Sequence, residues 1–291
     1  MAHRRRLKIN EPSPVFKMLN AIVMIALFAV MAIPLWNIFV VSLMSDLESF
    51  EVNYKLLPRE PSISGYAQLL TSVQLWRPFL NNVFVTAFGV LFFVVTNSLA
   101  GFVLTRPRFP GKGFLFIVFL LPMMIPGGAI IIPLYITMKR LGLIDTLWSV
   151  TIAGVGSTFA IFLMRNYFTS IPRSLEESAH MDGASQVRIL TRIYLPLSTA
   201  GLATITLMEM VGKWNHFFSA VLYLHSTEKQ TLQRAIQVLV APSESTLETG
   251  RIISNNIRAA AIVVALVPML AIYPFIQRFF IKGIFLGAIK E

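Results

Sequence analysis

Residues 170–198 read SIPRSLEESAHMDGASQVRILTRIYLPLS, a polar, charge-bearing stretch set between two apolar runs. Ile171-Pro172 interrupts the preceding helix, because proline lacks an N–H and restrains the residue before it. Ser174-Leu175-Glu176-Glu177 has the form of a capping box, with Ser174 at the N-cap and Glu177 three residues later. A short helix is predicted to follow and to stop at Gly183, which tolerates the left-handed dihedrals of a helix C-terminus. Ser185 is placed to cap a second helix running to about Tyr194. Pro196 then opens the next apolar run, where its missing N–H costs least. In the first helix Leu175, Ser178, Ala179 and Asp182 fall on one face, and the small residues there admit close approach of a partner. Glu176, Glu177 and His180 point elsewhere, where basic groups can meet them. Two short helices with a tight turn have the shape of a docking element.

The 291 residues are 55% hydrophobic and 13% charged, against about 25% charged in an average soluble protein. That places the chain in the membrane class. The formal charge of +11 would suit nucleic acid, but the basic residues sit mostly in loops between apolar runs, so no nucleic-acid partner is expected. There is no cysteine, which excludes thiol chemistry and cysteine metal sites.

About 20 apolar residues cross a hydrocarbon core of about 30 Å, and six segments qualify: 18–45, 78–105, 113–138, 146–168, 195–224 and 259–280. In lipid the backbone must satisfy its own hydrogen bonds, so these are helices. The expected fold is all-α: a polytopic membrane protein with six transmembrane helices over 18–281. A basic segment, 1–17, precedes it, a tail, 282–291, follows, and the polar loop occupies 172–194. The first run is longer than a signal-peptide core of about 7–15 residues, so it is expected to be retained. With the N-terminus inside, the inner segments hold 15 of the 25 Lys and Arg residues. The positive-inside rule then puts both termini and the 172–194 loop in the cytoplasm. The outer segment 46–77 is expected to pack over the outer surface. The outer segment 226–258 is expected to be partly helical and to meet a partner or fold back toward the pathway. Pro122, Pro126 and Pro133, with Gly127-Gly128, are expected to break the third span, either around a pathway or as a packing kink.

The fifth span carries the most informative polar residues. Thr206, Glu209, Lys213 and His216 form one stripe at helical spacing. Counting about 1.5 Å per residue from Pro196 puts Glu209 beyond the membrane midplane. Ionisable groups at that depth face a water-filled pathway or a paired interior. Glu209 and Lys213 can pair at i, i+4, either lining a pathway or holding the span to a neighbour. Trp214 is a pathway aromatic or an interfacial belt residue. Asn97 and Ser98 in the second span, and Ser157 and Thr158 in the fourth, are pathway candidates or helix–helix hydrogen bonds.

No catalytic or metal constellation is visible. His3, His180, His216 and His225 have no metal-ligand spacing. Gly111-Lys112 and Gly212-Lys213 lack the upstream glycine of a P-loop, having Arg106 and Leu207 at that spacing. The energy for any active transport must then come from another subunit.

The run Glu177-Ser178-Ala179-His180-Met181-Asp182-Gly183-Ala184-Ser185, followed by Ile193-x-Leu195-Pro196, resembles the EAA loop of permease subunits of binding-protein-dependent ABC importers. Ser178 replaces the first alanine of the usual form. Asn81-Asn82, Arg106-x-x-Phe109-Pro110-Gly111-Lys112, Ile132-Pro133-Leu134-Tyr135, Leu141-Gly142-Leu143 and Met164-Arg165-Asn166-Tyr167-Phe168 extend the likeness over most of the chain. Gly212-x-Trp214-Asn215-x-Phe217 is similar to a pattern of carbohydrate importers. Together these resemble the shorter, six-span permease of the maltose-importer type. Gly127-Gly128, Met164-Arg165-Asn166 and Lys282-Gly283 resemble the branch serving complex oligosaccharides, including alginate-like and pectin-like fragments.

The resemblance implies a non-enzymatic subunit in the bacterial inner membrane. Its partners would be a second, homologous permease, two ATP-binding cassette subunits, an extracytoplasmic solute-binding protein, the saccharide and membrane lipid. ATP and Mg would be bound by the partner ATPases, with no cofactor in this chain. Glu176, Glu177, Ser178, Ala179, Met181, Asp182, Gly183 and Ala184 would couple to the ATPase. Glu209, Lys213, Trp214, Asn215, His216 and Asn97 would line the substrate pathway, Trp214 by stacking on a sugar face and Asn215 by bonding hydroxyls. Competing readings are a solo carrier using Glu209 and Lys213 for ion coupling, an importer of amino acids or peptides, and a membrane-embedded enzyme.

Overall fold

A computed structural model describes residues 13–51, 54–71, 73–106, 111–240 and 253–288, with side chains to Pro274 in the last segment. The basic residues of 1–12, Phe109-Pro110, the segment 241–252 and the side chain of Lys282 lie outside the described residues. Among the described residues the chain is helical, without strands. Its contacts divide into two units, 1–71 with 251–263 and 72–250 with 264–291.

In the first unit, α1 (Pro14–Ser42) starts cleanly. Pro14 occupies the first turn, and the Ser13 hydroxyl accepts the Phe16 N–H at 3.2 Å. Its apolar window is entirely unburied by the chain itself. A helix hydrophobic all round and uncovered by protein belongs in lipid. The segment after α1 then folds around two acids. Glu48 accepts Lys55 Nζ at 2.9 Å and the Arg59 and Glu60 amides at 2.9 and 3.1 Å. The Arg59 amide and the Lys55 ammonium hold its pKa down at about 2. Asp46 accepts Ser64 Oγ of α2 (Ser64–Thr71) at 3.0 Å, Gln68 Nε2 at 2.9 Å and Asn256 Nδ2 at 2.7 Å. Asn256 opens α14 (Asn255–Ala288), so this knot fastens the segment after α1 to the start of that helix.

The second unit is built on α3 (Trp76–Thr105), against which α6 (Leu147–Ile152), α7 (Thr158–Thr169) and α11 (Thr199–Trp214) pack. A Cβ on Gly101 would lie 3.0 Å from the Ile161 carbonyl and the Arg165 nitrogen. Close backbone approach through small residues is how helices associate without a hydrophobic driving force. Helices α4 (Lys112–Met124) and α5 (Gly127–Arg140) meet at 109° across Ile125-Pro126, the break expected from the proline and glycine pattern. The expected fourth span is two pieces, α6 and α7, separated at 153–157 where Gly154 has φ +75°. Helices α12 (Phe218–Tyr223) and α13 (Leu232–Val240) follow α11. By length and apolarity, α1, α3 and the Asn255–Pro274 part of α14 each suffice to cross a membrane, and the bent pairs raise the number to as many as five.

Candidate functional site

The polar loop folds as α8 (Arg173–Met181), a turn, and α9 (Gln186–Ile189), which continues through a π turn, Leu190–Tyr194, into α10 (Leu195–Leu197). Gly183 takes φ +73° with open space around it, so the backbone dihedral and not crowding calls for glycine. Ser185 caps α9 as expected, its hydroxyl accepting the Arg188 N–H at 3.4 Å. Two local readings need correction. Pro172 is the N-cap of α8, and Ser174 makes no capping bond. The proline holds an extended backbone (φ −59°, ψ 132°) two residues earlier, which leaves Ser174 inside the helix. Pro196 does not open the next span either. It lies in α10, behind a π turn that accommodates its missing N–H, and α11 begins after an 84° bend at Ser198.

The faces of α8 separate two kinds of residue. Glu177, Ser178, Met181, Asp182 and Gly183 are exposed, with Leu175 beside them, while Ala179 and Ala184 are half-buried. Met181 is 88% exposed. Glu176 turns inward instead. It forms an ion pair with Arg106 Nη1 at the end of α3 and accepts Tyr194 Oη at 2.7 Å. Burial disfavours its charge, but the Tyr194 hydroxyl and the Arg106 guanidinium outweigh burial and hold the carboxyl below its ordinary pKa. These residues line a cavity of about 750 Å³ that also touches Glu177, His180 and Gln186.

The α11 residues divide similarly. Lys213 is buried, and its Nζ donates to the carbonyls of Val150, Thr151 and Ala153 at 2.9, 3.0 and 2.6 Å, with Glu209 Oε1 at 3.8 Å. A cation on the last carbonyls of α6 satisfies orphan acceptors and complements the helix dipole. Asn97 supports the same break from α3. It donates to the Val155 carbonyl at 2.8 Å and accepts the Ser157 N–H at 2.9 Å. Trp214 is buried, its Nε1 donating to the Ala265 carbonyl at 3.0 Å and its ring edge-on to Phe79.

His216 leaves the expected stripe, because α11 ends at Trp214, and its ring bonds Ser219 Oγ. Asn215 is exposed past the helix end. Glu209 faces a cavity of about 340 Å³ with Gly154, Gly156, Ser157 and Met208. Sequence reasoning brought Glu209 and Lys213 together but missed the Lys213 carbonyl cage, the Arg106–Glu176–Tyr194 cluster and the Gly154/Gly156 lining. The G-x-G of the fourth apolar run was the available signal for that lining.

Residues 97–286 match the family model described as "Binding-protein-dependent transport system inner membrane component". The chain belongs to this family. It is therefore a transport component embedded in a membrane. Among relatives of this permease, Protein LplC of Bacillus subtilis (strain 168) is 30% identical over the full length of both chains. The polygalacturonan/rhamnogalacturonan transport system permease protein YtcP of the same organism is 32% identical over 92% of this chain and 95% of that one. A chain from the crystal structure of a bacterial ABC transporter involved in the import of the acidic polysaccharide alginate matches with a TM-score of 0.84 and 30% identity, covering 93% of this permease and 99% of that chain.

Proposed function

We propose that this chain is one of two different permease subunits of an ATP-driven saccharide importer. It crosses the membrane six times with both termini in the cytoplasm, and it receives cargo from an extracytoplasmic binding protein. Its exposed EAA face, Leu175, Glu177, Ser178, Met181 and Asp182, seats in one of two ATPase subunits, where ATP is hydrolysed. Glu209 and its cavity, with Asn215, border the pathway. Lys213, Trp214 and Asn97 hold the walls. The cargo is an oligosaccharide or polysaccharide fragment bearing uronic acids.

The observation that carries this reading is the near full-length likeness to the alginate-importing chain, with the polygalacturonan permease as independent support for an acidic glycan. Six crossings are supported by the apolar runs and the basic bias of the inner loops, with α6 and α7 together forming the fourth. The test is ATP hydrolysis by the purified complex when its binding protein carries uronate oligomers or neutral arabino-oligosaccharides. Stimulation by uronates alone is expected. Stimulation by neutral sugars alone would overturn the cargo assignment, and no stimulation by any saccharide would overturn the importer reading.

A further inference from the structure

Glu176 and Glu177 are adjacent in α8, yet only Glu177 is presented outward. Both carboxylate oxygens of Glu176 are occupied by the chain itself: Arg106 Nη1 takes one, and Tyr194 Oη donates to the other. Neither partner is a loose surface group. Arg106 follows the last turn of α3, its guanidinium 4.0 Å from the Phe102 ring centroid, and it donates to Thr105 Oγ1 at 3.0 Å. Tyr194 is 3% exposed and stands edge-on to Phe102 and Phe168 at 5.0 and 5.5 Å between centroids. The Arg106 and Glu176 side chains are 18% and 17% exposed. Among the described residues this is the one ion pair that ties α8 to another helix.

Helix α8 is linked along the chain by short turns at Ser170–Pro172 and Asp182–Ser185, and it packs on the core through Ala179. Two short turns and one small packing residue leave a helix able to rock. A charge-assisted bond to a walled-in guanidinium, together with a buried hydroxyl, removes that freedom. We propose that Arg106, Glu176 and Tyr194 form an internal strut that makes α8 move as one body with the end of α3 and the elbow ahead of α11. Glu176 is then a positioning residue and not an ATPase contact. The inference rests on reading α8 as the ATPase-coupling helix.

The experiment uses the complete transporter in proteoliposomes and measures three quantities: ATPase subunits retained per complex, ATP hydrolysed, and saccharide transported per ATP. Glu176→Gln keeps the side-chain shape but removes the charge, and Tyr194→Phe removes one oxygen. Both are expected to retain the ATPase subunits and to continue hydrolysis while transport per ATP falls roughly tenfold, the loss of one charge-assisted bond. The double variant is expected to be no worse than Glu176→Gln alone, because both residues act through one network. Arg106→Lys, which keeps the charge without the fork, is expected to recover part of the coupling that Arg106→Gln loses.

Loss of ATPase subunits in Glu176→Gln would make Glu176 a contact residue and overturn the strut. Wild-type transport per ATP in both Glu176→Gln and Tyr194→Phe would also overturn it. Should Glu176→Gln fail to accumulate, Tyr194→Phe decides the matter alone. Glu177→Lys is the control for the underlying reading: full transport by that variant would sink the coupling role of α8 itself, whatever Glu176 does.

Discussion

Replacing Lys213 by Met separates a wall brace from a pathway residue. The ammonium is the donor to three carbonyls at the C-terminal end of α6, at 2.6–3.0 Å, and it stands 3.8 Å from Glu209. Each carbonyl left buried without a donor costs about 1–3 kcal/mol. Relief from the desolvation of the ammonium offsets part of that, and methionine refills most of the volume. Losing one member of a buried charged cluster comes to about 3–5 kcal/mol net. At about 2–4 °C per kcal/mol for a domain of this size, the apparent Tm of the purified complex should fall by roughly 10 °C at a fixed scan rate. Transport should fall only in proportion to the folded complex recovered. A Tm within about 2 °C of wild type, combined with lost transport, would refute the brace and return Lys213 to the pathway.

Further outcomes follow from the geometry at three other positions. A Cβ on Gly89 would lie 3.0, 3.1 and 3.2 Å from Cε, Cδ and Cγ of Lys213. Gly89→Ala should therefore destabilise by about 1–2 kcal/mol, and by less when Lys213 is also Ala, which a double-mutant cycle of melting temperatures would detect. Asp145 sits at φ +57° and accepts the His225 and Ser226 amides, both at 2.9 Å, and Lys229 Nζ at 3.0 Å. Asp145→Ala should destabilise more than Asp145→Asn, because asparagine tolerates the left-handed region. Bonds from Ser226 and His225 and the Lys229 ammonium hold the Asp145 carboxyl well below its ordinary value. Its contribution is thus full above the unfolded pKa of about 3.9 and drains as pH falls toward the folded one. Melts from pH 7 to pH 3 should show that increment in the wild type and not in Asp145→Asn. Glu177→Lys should insert normally but lose ATPase subunits on purification, because it reverses charge on the exposed face of α8.

The long apolar runs made α1, α3 and most of α14 legible, since composition alone decides what a helix must do in lipid. Gly183 and Ser185 were legible because capping is a local event. The break between α6 and α7 was not. It exists because Lys213 and Asn97, distant in sequence, satisfy the carbonyls and amides that a break exposes. The bend at Ser198 and the displaced cap at Pro172 were missed for a related reason: a proline removes a donor, but the surrounding packing decides where the chain turns. Glu176 was grouped with Glu177 and Ser178 because the three are adjacent in sequence. Its inward direction depends on Arg106 and Tyr194, which helical periodicity within α8 does not reveal. Lys213 and Glu209 were paired correctly by spacing, yet the carbonyl cage that explains the lysine is a tertiary feature.

The central claim is that this chain forms a pathway but draws its energy through the 172–194 loop from separate ATPase subunits. The most direct measurement is uptake of a labelled uronate oligomer into proteoliposomes containing this chain, its partner permease and the binding protein, each with and without the ATPase subunits, ATP and a protonophore. Uptake is expected to require the ATPase subunits and ATP and to be indifferent to the protonophore. Uptake without the ATPase subunits, abolished by the protonophore, would contradict it and leave Glu209 and Lys213 as the ion-coupling centre of a solo carrier.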